Sequence, residues 1–351
     1  MSNTISATTL QMYEVCRRQW YFANVLDLEP KKGGTSLWLG SGVHEALEAF
    51  YRAGQDPVVA FEAWWNRSVE QWRAEHDGAE IDSQWYNLRD LGMSMMSHYR
   101  AWARQMDDFE VLATELPFRV EIPNTNGGAL TGRFDGVIRL WRRPTDIYLL
   151  ENKTYKRLPP HDFLLLDTQT AIYQWAATKL LSEGKLLPKL NLPEGTQVKG
   201  VLYNGLRKSV PKRPPMDVTG QGVSKDLRYA TTYAFYLNVL EEENLPVEDY
   251  QEILAKLKLK LNQFFHREWV QRTPEELVAV EERLVRQFTD VQATRDTAYL
   301  LPSPSWDCAW RCAYYTLCLA YNQGGDTVGV QKRAYQKRVW TNNPTTEDWF
   351  W

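Results

Sequence analysis

At 351 residues the chain is long enough to bury a sizeable core in one large or two ordinary domains. Its 41 Lys and Arg against 44 Asp and Glu leave a net charge of −3, so bulk basicity gives no route to nucleic acid and any such site must be a local basic patch. No apolar run approaches the roughly 18 residues of a membrane span and Met1-Ser2-Asn3-Thr4 opens no signal-peptide pattern. The expectation is a soluble, cytoplasmic protein with no membrane partner.

In chain order, Ser6 to Tyr13 predicts a short helix with Ser6 or Thr8 as N-cap. It runs on into Cys16-Arg17-Arg18, where a lone Cys reads as a small buried side chain until the far end of the chain is considered. Gly33-Gly34 and Gly40-Ser41-Gly42 flank a helix start, after which Val43, Leu47 and Phe50 share one face. His44 then falls in the first turn, either structural or a metal ligand, since neutral imidazole binds divalent metals well. Residues 56–106 read as a Trp-rich helical segment, with Met93, Met96, Tyr99 and Trp102 at helical spacing as core. The chain holds 15 Trp and 18 Tyr, enough for large core pieces and for base-stacking platforms.

The sheet is predicted to begin at 109–120, and Asn126-Gly127-Gly128 signals a hairpin turn. Two apolar β-forming runs follow, Gly132 to Ile138 and Ile147 to Thr154, joined by a loop over 141–146 that carries Pro144 and Asp146. Asp135 and Glu151 end the two runs, and Lys153 shares a strand face with Glu151. Two carboxylates converging with a lysine suit phosphodiester hydrolysis. Asp135, Glu151 and the Asn152 backbone carbonyl offer hard oxygens to Mg²⁺ or Mn²⁺, which would polarise the phosphate and activate water. Lys153 would orient that water or stabilise developing charge. Glu115, on the neighbouring strand, either reaches this site or faces solvent. After the basic Lys156, a helix over 167–176 sets Gln169 and Tyr173 one turn apart, placed to touch a phosphate or base or simply forming a helix shoulder.

A strand is predicted over 198–203, then a loop over 205–228. That loop carries Arg207, Lys208, Lys212 and Arg213 along with Lys225 and Arg228, against only Asp217 and Asp226. It is either a phosphate-contact surface or a solvated loop. Helices are expected over 229–245, 247–268 and 274–294. Near the end stand Cys308, Cys312 and Cys318, which with Cys16 are all four cysteines of the chain. Disulfides are disfavoured inside cells, so the trio points to a metal centre. One remote Cys plus a close trio suits an iron–sulfur cluster better than structural Zn²⁺.

Together these pieces resemble the RecB-type branch of the PD-(D/E)XK nuclease superfamily. The likeness is to its iron–sulfur subset, which includes the AddB nuclease domain, the CRISPR-associated exonucleases and phage-encoded relatives. The matching residues are Cys16 in Y-x-x-C-R-R, His44 in G-x-x-x-H, Asp135 in G-x-x-D-G, Glu151-Asn152-Lys153-Thr154, Gln169-x-x-x-Tyr173 and the three late cysteines. They span residues 13 to 318. The resemblance implies that His44, Asp135 and Glu151 coordinate Mg²⁺ or Mn²⁺, with Lys153 as the catalytic lysine. It further implies that Gln169 and Tyr173 engage DNA, and that the four cysteines hold a structural [4Fe–4S] cluster. One departure is the spacing C-x3-C-x5-C, where the family commonly shows C-x2-C-x5-C.

The implied fold is α/β: a restriction-endonuclease-like core with a central mixed β-sheet flanked by helices, plus additional helical segments. It would be one nuclease domain with its core at about 107–206, helical elaborations at about 43–106 and 229–300, and a staple from Cys16 to 308–318. The implied activity is that of a metal-dependent DNA exonuclease on single-stranded or free-ended DNA, in recombination, repair or phage DNA metabolism. Alternatives are a catalytically silent DNA-end-binding subunit and a structure-specific endonuclease. No P-loop occurs in the sequence, so a helicase or recombinase partner would be a separate chain. The aromatic tail over 342–351 is expected to fold back onto the core, since exposed aromatics favour aggregation.

Overall fold

The computed structural model describes residues 3–31, 35–75, 80–260, 264–295, 297 and 300–338. The chain opens with β1 (Thr4–Ile5), α1 (Ala7–Val15), α2 (Arg17–Asn24) and β2 (Leu28–Pro30). Ser6 caps α1, its hydroxyl accepting from the Thr9 amide at 3.1 Å, which satisfies a first-turn N–H that the helix itself cannot.

Three long helices follow: α3 (Thr35–Ala53), α4 (Pro57–Glu75) and α5 (Ser83–Met106). α3 starts earlier than the glycines suggested, so His44 sits in mid-helix and not in a first turn. Gly42 is there for close packing, because a methyl group at that position would overlap the Trp64 ring of α4. Trp38 ties the three helices together, with its ring centroid 4.3 Å from Trp64, 4.5 Å from Trp65 and 4.8 Å from Trp85. Met96, Tyr99 and Trp102 are buried core, as their spacing predicts. Burying each such side chain stabilises by about 2 kcal/mol.

The sheet strands are β3 (Phe109–Glu121), β4 (Ala129–Leu140) and β5 (Arg143–Tyr155), then β6 (Gln197–Arg207) and β7 (Phe265–Val270). Between β5 and β6 lie α6 (His161–Leu165), α7 (Thr168–Ser182) and α8 (Leu187–Leu190); between β6 and β7 lie α9 (Tyr233–Glu242) and α10 (Gln251–Lys258). The chain continues through α11 (Pro274–Arg295), α12 (Cys308–Arg311), α13 (Tyr315–Asn322), α14 (Thr327–Ala334) and β8 (Tyr335–Lys337). β3, β4 and β5 pair antiparallel, β6 joins β5 in parallel across the α7 crossover, and β7 closes the edge antiparallel to β6. This is the mixed sheet with helices on both faces that the sequence predicts.

Three local expectations give way. The loop over 141–146 is tighter, because Leu140 already pairs with Arg143. The helix expected over 247–268 breaks: α10 ends at Lys258 and the chain re-enters the sheet as β7. β1 lies parallel to the start of β4, Thr4 against Ala129. β3 occupies the whole of the other edge of β4, so β1 takes the place β5 leaves when the β4–β5 ladder stops at Gly136 and Leu150. The two central strands therefore fork just where Asp135 and Glu151 stand.

The chain ends meet. β2 pairs antiparallel with β8, Leu28 against Lys337. Tyr13 donates to Asp290 at 2.8 Å, Arg17 pairs with the same carboxylate at 2.6 Å, and Arg18 donates to the Leu300 carbonyl at 2.7 Å and Asn322 at 2.6 Å. Gly33, Gly34 and the tail over 342–351 lie outside the described residues. Among the described residues no helix is long and apolar enough to cross a membrane.

Candidate active site

At the fork, Asp135 Oδ2 accepts the Asn152 backbone N–H at 2.8 Å, a bond that bridges the two parting strands. His44 Nδ1 of α3 lies 3.5 Å from the same carboxylate oxygen. Glu115 joins them from β3, and one ligand atom from each of His44, Glu115 and Asp135 lies within 4.8 Å of the others. Glu115 adopts φ 47°, a left-handed backbone rare for a glutamate, next to the register shift between Val111 and Ala113. Glu151, only 2 % exposed, is instead engaged by Lys153, whose Nζ sits 2.5 Å from Glu151 Oε1 and donates to Gln169 Oε1 at 2.9 Å. Gln169 occupies the first turn of α7, whose N-cap Asp167 accepts from the Thr170 amide at 2.7 Å.

Burial governs the charges. It pushes the Asp135 carboxyl up to about 7 against the pull of Lys153, and Glu151 up to about 7, where the Asp135 charge adds to the rise. Burial pushes the Glu115 carboxyl up as well, with Arg133 opposing. Desolvation lowers His44, keeping its imidazole neutral and able to ligate at neutral pH. For Lys153 desolvation pulls down, but Glu151 and Asp135 outweigh it and hold the ammonium charged. Three carboxylates, Glu151 buried and Asp135 and Glu115 partly so, face one lysine and one partly exposed Arg133, and a divalent cation would supply the missing positive charge. His44, Glu115 and Asp135 are placed to hold it.

The site opens into a cleft of about 1040 Å³ between α3, α4 and the sheet. Among the basic residues foreseen, Lys208 lines this cleft, while Arg207, Lys212 and the exposed Lys156 do not. Arg213 is held by Glu242 and Glu243. Tyr173 packs edge-on against Phe118 and Phe134, with centroids 5.4 and 5.6 Å away, and is 8 % exposed, so most of its ring belongs to the core. Three cleft arginines escaped the sequence reading: Arg52, Arg67 and Arg133, paired with Glu48, Glu45 and Glu115 respectively. Alternation could have found Arg133, two residues before Asp135 on one strand; the helical pair carries no such signal.

All four cysteines line a second cavity, of about 430 Å³, formed by the start of α2 and the segment 302–322. N–H donors reach three of the sulfurs: Ser303 N to Cys16 at 3.4 Å, Ser305 N to Cys308 at 3.3 Å and the Arg18 guanidinium to Cys318 at 3.5 Å. Among the described residues no three of the sulfurs lie within 4.8 Å of one another.

Comparison with protein-family models matches residues 4–319 to the PD-(D/E)XK nuclease superfamily. The chain belongs to that superfamily. No curated protein matches it. The α/β fold with a central mixed sheet is the restriction-endonuclease-like fold of PD-(D/E)XK nucleases, enzymes that use divalent metals and act on nucleic acid, and the match covers both the forked strands and the four cysteines.

Proposed function

We propose that the whole chain, residues 1–351, acts as one RecB-type DNA exonuclease on single-stranded or free-ended DNA. The observation that carries this is the fork, which brings Asp135 beside the Glu151–Lys153 pair, with His44, Glu115 and Asp135 lining an open, polar cleft. A bound Mg²⁺ or Mn²⁺ would supply Lewis-acid polarisation of the phosphate and lower the pKa of its water. His44, Asp135, Glu115 and the Asn152 carbonyl would hold it. Lys153, anchored between Glu151 and Gln169, keeps a positive charge aimed at the site where negative charge builds on the phosphate. Lys208 and Arg133 in the cleft wall would contact the DNA backbone, with Arg133 leaving Glu115 as that carboxylate turns to the cation.

The test is degradation of end-labelled single strands, linear duplex and closed-circular plasmid with Mg²⁺, Mn²⁺ or EDTA. Metal-dependent loss of linear substrates alone is expected. Cleavage of the closed circle would turn the reading to a structure-specific endonuclease, and no cleavage with any metal would turn it to an end-binding subunit.

For the cysteines we propose a [4Fe–4S] cluster that staples the chain ends. Support comes from the shared cavity and the N–H donors to sulfur. Anaerobically purified protein is expected to contain iron and acid-labile sulfide. Cys312→Ser should lose both and unfold at a lower temperature. Zinc without iron would replace the cluster with a structural zinc site.

A further inference from the structure

Behind the catalytic strand lies a buried polar network that the cleavage chemistry does not use. By pairing register, Asn152 of β5, Asn204 of β6 and Arg267 of β7 stand side by side, on the sheet face opposite the row Glu151, Tyr203 and Glu268. Asn204 is 0 % exposed. Its Nδ2 donates to Asn152 Oδ1 at 2.7 Å and to the Tyr99 hydroxyl at 2.8 Å, and its Oδ1 accepts from Arg267 Nε at 3.4 Å. Arg267 Nη2 donates to the hydroxyls of Tyr51 at 3.0 Å and Tyr99 at 3.3 Å and pairs with Asp107 at 2.5 Å. The two tyrosine hydroxyls are 2.6 Å apart, and the guanidinium lies 4.7 Å from the Trp102 ring centroid.

The network ends on the two elements that build the metal site. Asn152 is the residue whose backbone N–H holds Asp135, and the same Asp135 oxygen lies 3.5 Å from His44 Nδ1. Tyr51 lies on α3 about two turns beyond His44, on the same side of the helix. The contacts therefore close a ring: His44, along α3 to Tyr51, through Tyr99 and Arg267 to Asn204, then to Asn152, to Asp135 and back to His44. Apolar side chains would pack α5 on the sheet equally well. A set of directional bonds adds a fixed rotation and height of α3 over β5.

We propose that Tyr51, Tyr99, Asn204 and Arg267 are positioning residues, which set His44 and the Asn152 backbone against Asp135 and thereby the site's affinity for its divalent cation. The proposal rests on the reading of His44, Glu115 and Asp135 as a metal site. Partners that orient metal ligands typically change affinity by about 10–100-fold when removed.

The experiment is Mn²⁺ binding to the purified full-length chain, followed by electron paramagnetic resonance, together with the nitrogen coupling of bound Mn²⁺ to imidazole. Wild type is expected to bind Mn²⁺ with a nitrogen coupling that His44→Ala lacks. Tyr51→Phe removes one hydroxyl and keeps the packing. It should bind about tenfold more weakly with a diminished coupling, while its thermal unfolding in EDTA stays within a few degrees of wild type. Asn204→Ala should weaken binding further, and Tyr51→Phe decides the matter if Asn204→Ala does not fold. Wild-type affinity and coupling in a folded Tyr51→Phe would overturn the proposal, as would weaker binding with the coupling intact, since the effect would then bypass His44. Wild-type protein that binds no Mn²⁺, or binds it without nitrogen coupling, would remove the metal-site reading itself and this proposal with it.

Discussion

Lys153→Ala is expected to lower cleavage of end-labelled DNA by about 10²–10³-fold at saturating Mn²⁺, the usual loss when one preorganised charge is taken from a buried site. The lysine is the cation closest to Glu151, at 2.5 Å, and its amine is fixed on the other side by Gln169 at 2.9 Å. Removing it leaves a carboxylate that is 2 % exposed without its counter-charge. Glu151 already sits at about 7, so it can answer by taking a proton and the chain should still fold. Binding of DNA in the cleft should be little changed, because Lys208 and Arg133 are untouched. Activity within a few-fold of wild type would remove Lys153 from the chemistry.

The metal-free protein should become less stable as pH rises, and Asp135→Asn should weaken that dependence. Asp135 and Glu151 are both pushed up to about 7 by burial, far above ordinary carboxylates near 4. Between those values the folded state binds more protons than the unfolded one, so stability falls with rising pH. The stabilising contribution is whole below about pH 4 and gone once the pH has passed about 7. The two carboxyls repel each other and titrate as a coupled pair. In EDTA at pH 8, Asp135→Asn should therefore melt above wild type, on the order of a few degrees, whereas below about pH 4 the two should nearly coincide. Mn²⁺ at pH 8 should raise the wild-type melting temperature and barely move the variant's. An Asp135→Asn protein that melts below wild type in EDTA at pH 8 would show that the buried carboxylates are not the strained pair described here.

Much of this site was legible in the sequence because it is written on strands. Period-2 alternation sets Glu151 and Lys153 on one face, and short apolar runs with a turn between them give the β4–β5 hairpin. His44 was assigned to the correct helix but to the wrong turn: Gly40 and Gly42 read as a helix boundary, whereas Gly42 serves the approach of Trp64. Glu115 was left open between site and solvent because its direction depends on a left-handed backbone, which no residue pattern encodes in a strand. β1, β2 and β8 are two or three residues long, too short for any period to register. β7 was absorbed into a helix because the apolar spacing of Leu254, Leu257, Phe264 and Phe265 continues across the break. Asn204 falls just past the strand predicted over 198–203, whereas β6 runs on to Arg207 and its register sets Asn204 between Asn152 and Arg267.

The meeting of the chain ends has a consequence for synthesis. β2 finds its partner only in Tyr335–Lys337, and Tyr13, Arg17 and Arg18 wait for residues between Asp290 and Asn322. At about 5–20 residues per second a ribosome exposes the first helices for tens of seconds before those partners emerge. During that interval Phe22, buried in the finished protein, lacks its ring partners Tyr314 and Tyr321. Closing these contacts is long-range pairing of the slow, non-local kind. A premature stop anywhere before residue 335 would leave β2 without its partner strand, even where the forked strands of the active site had been translated in full.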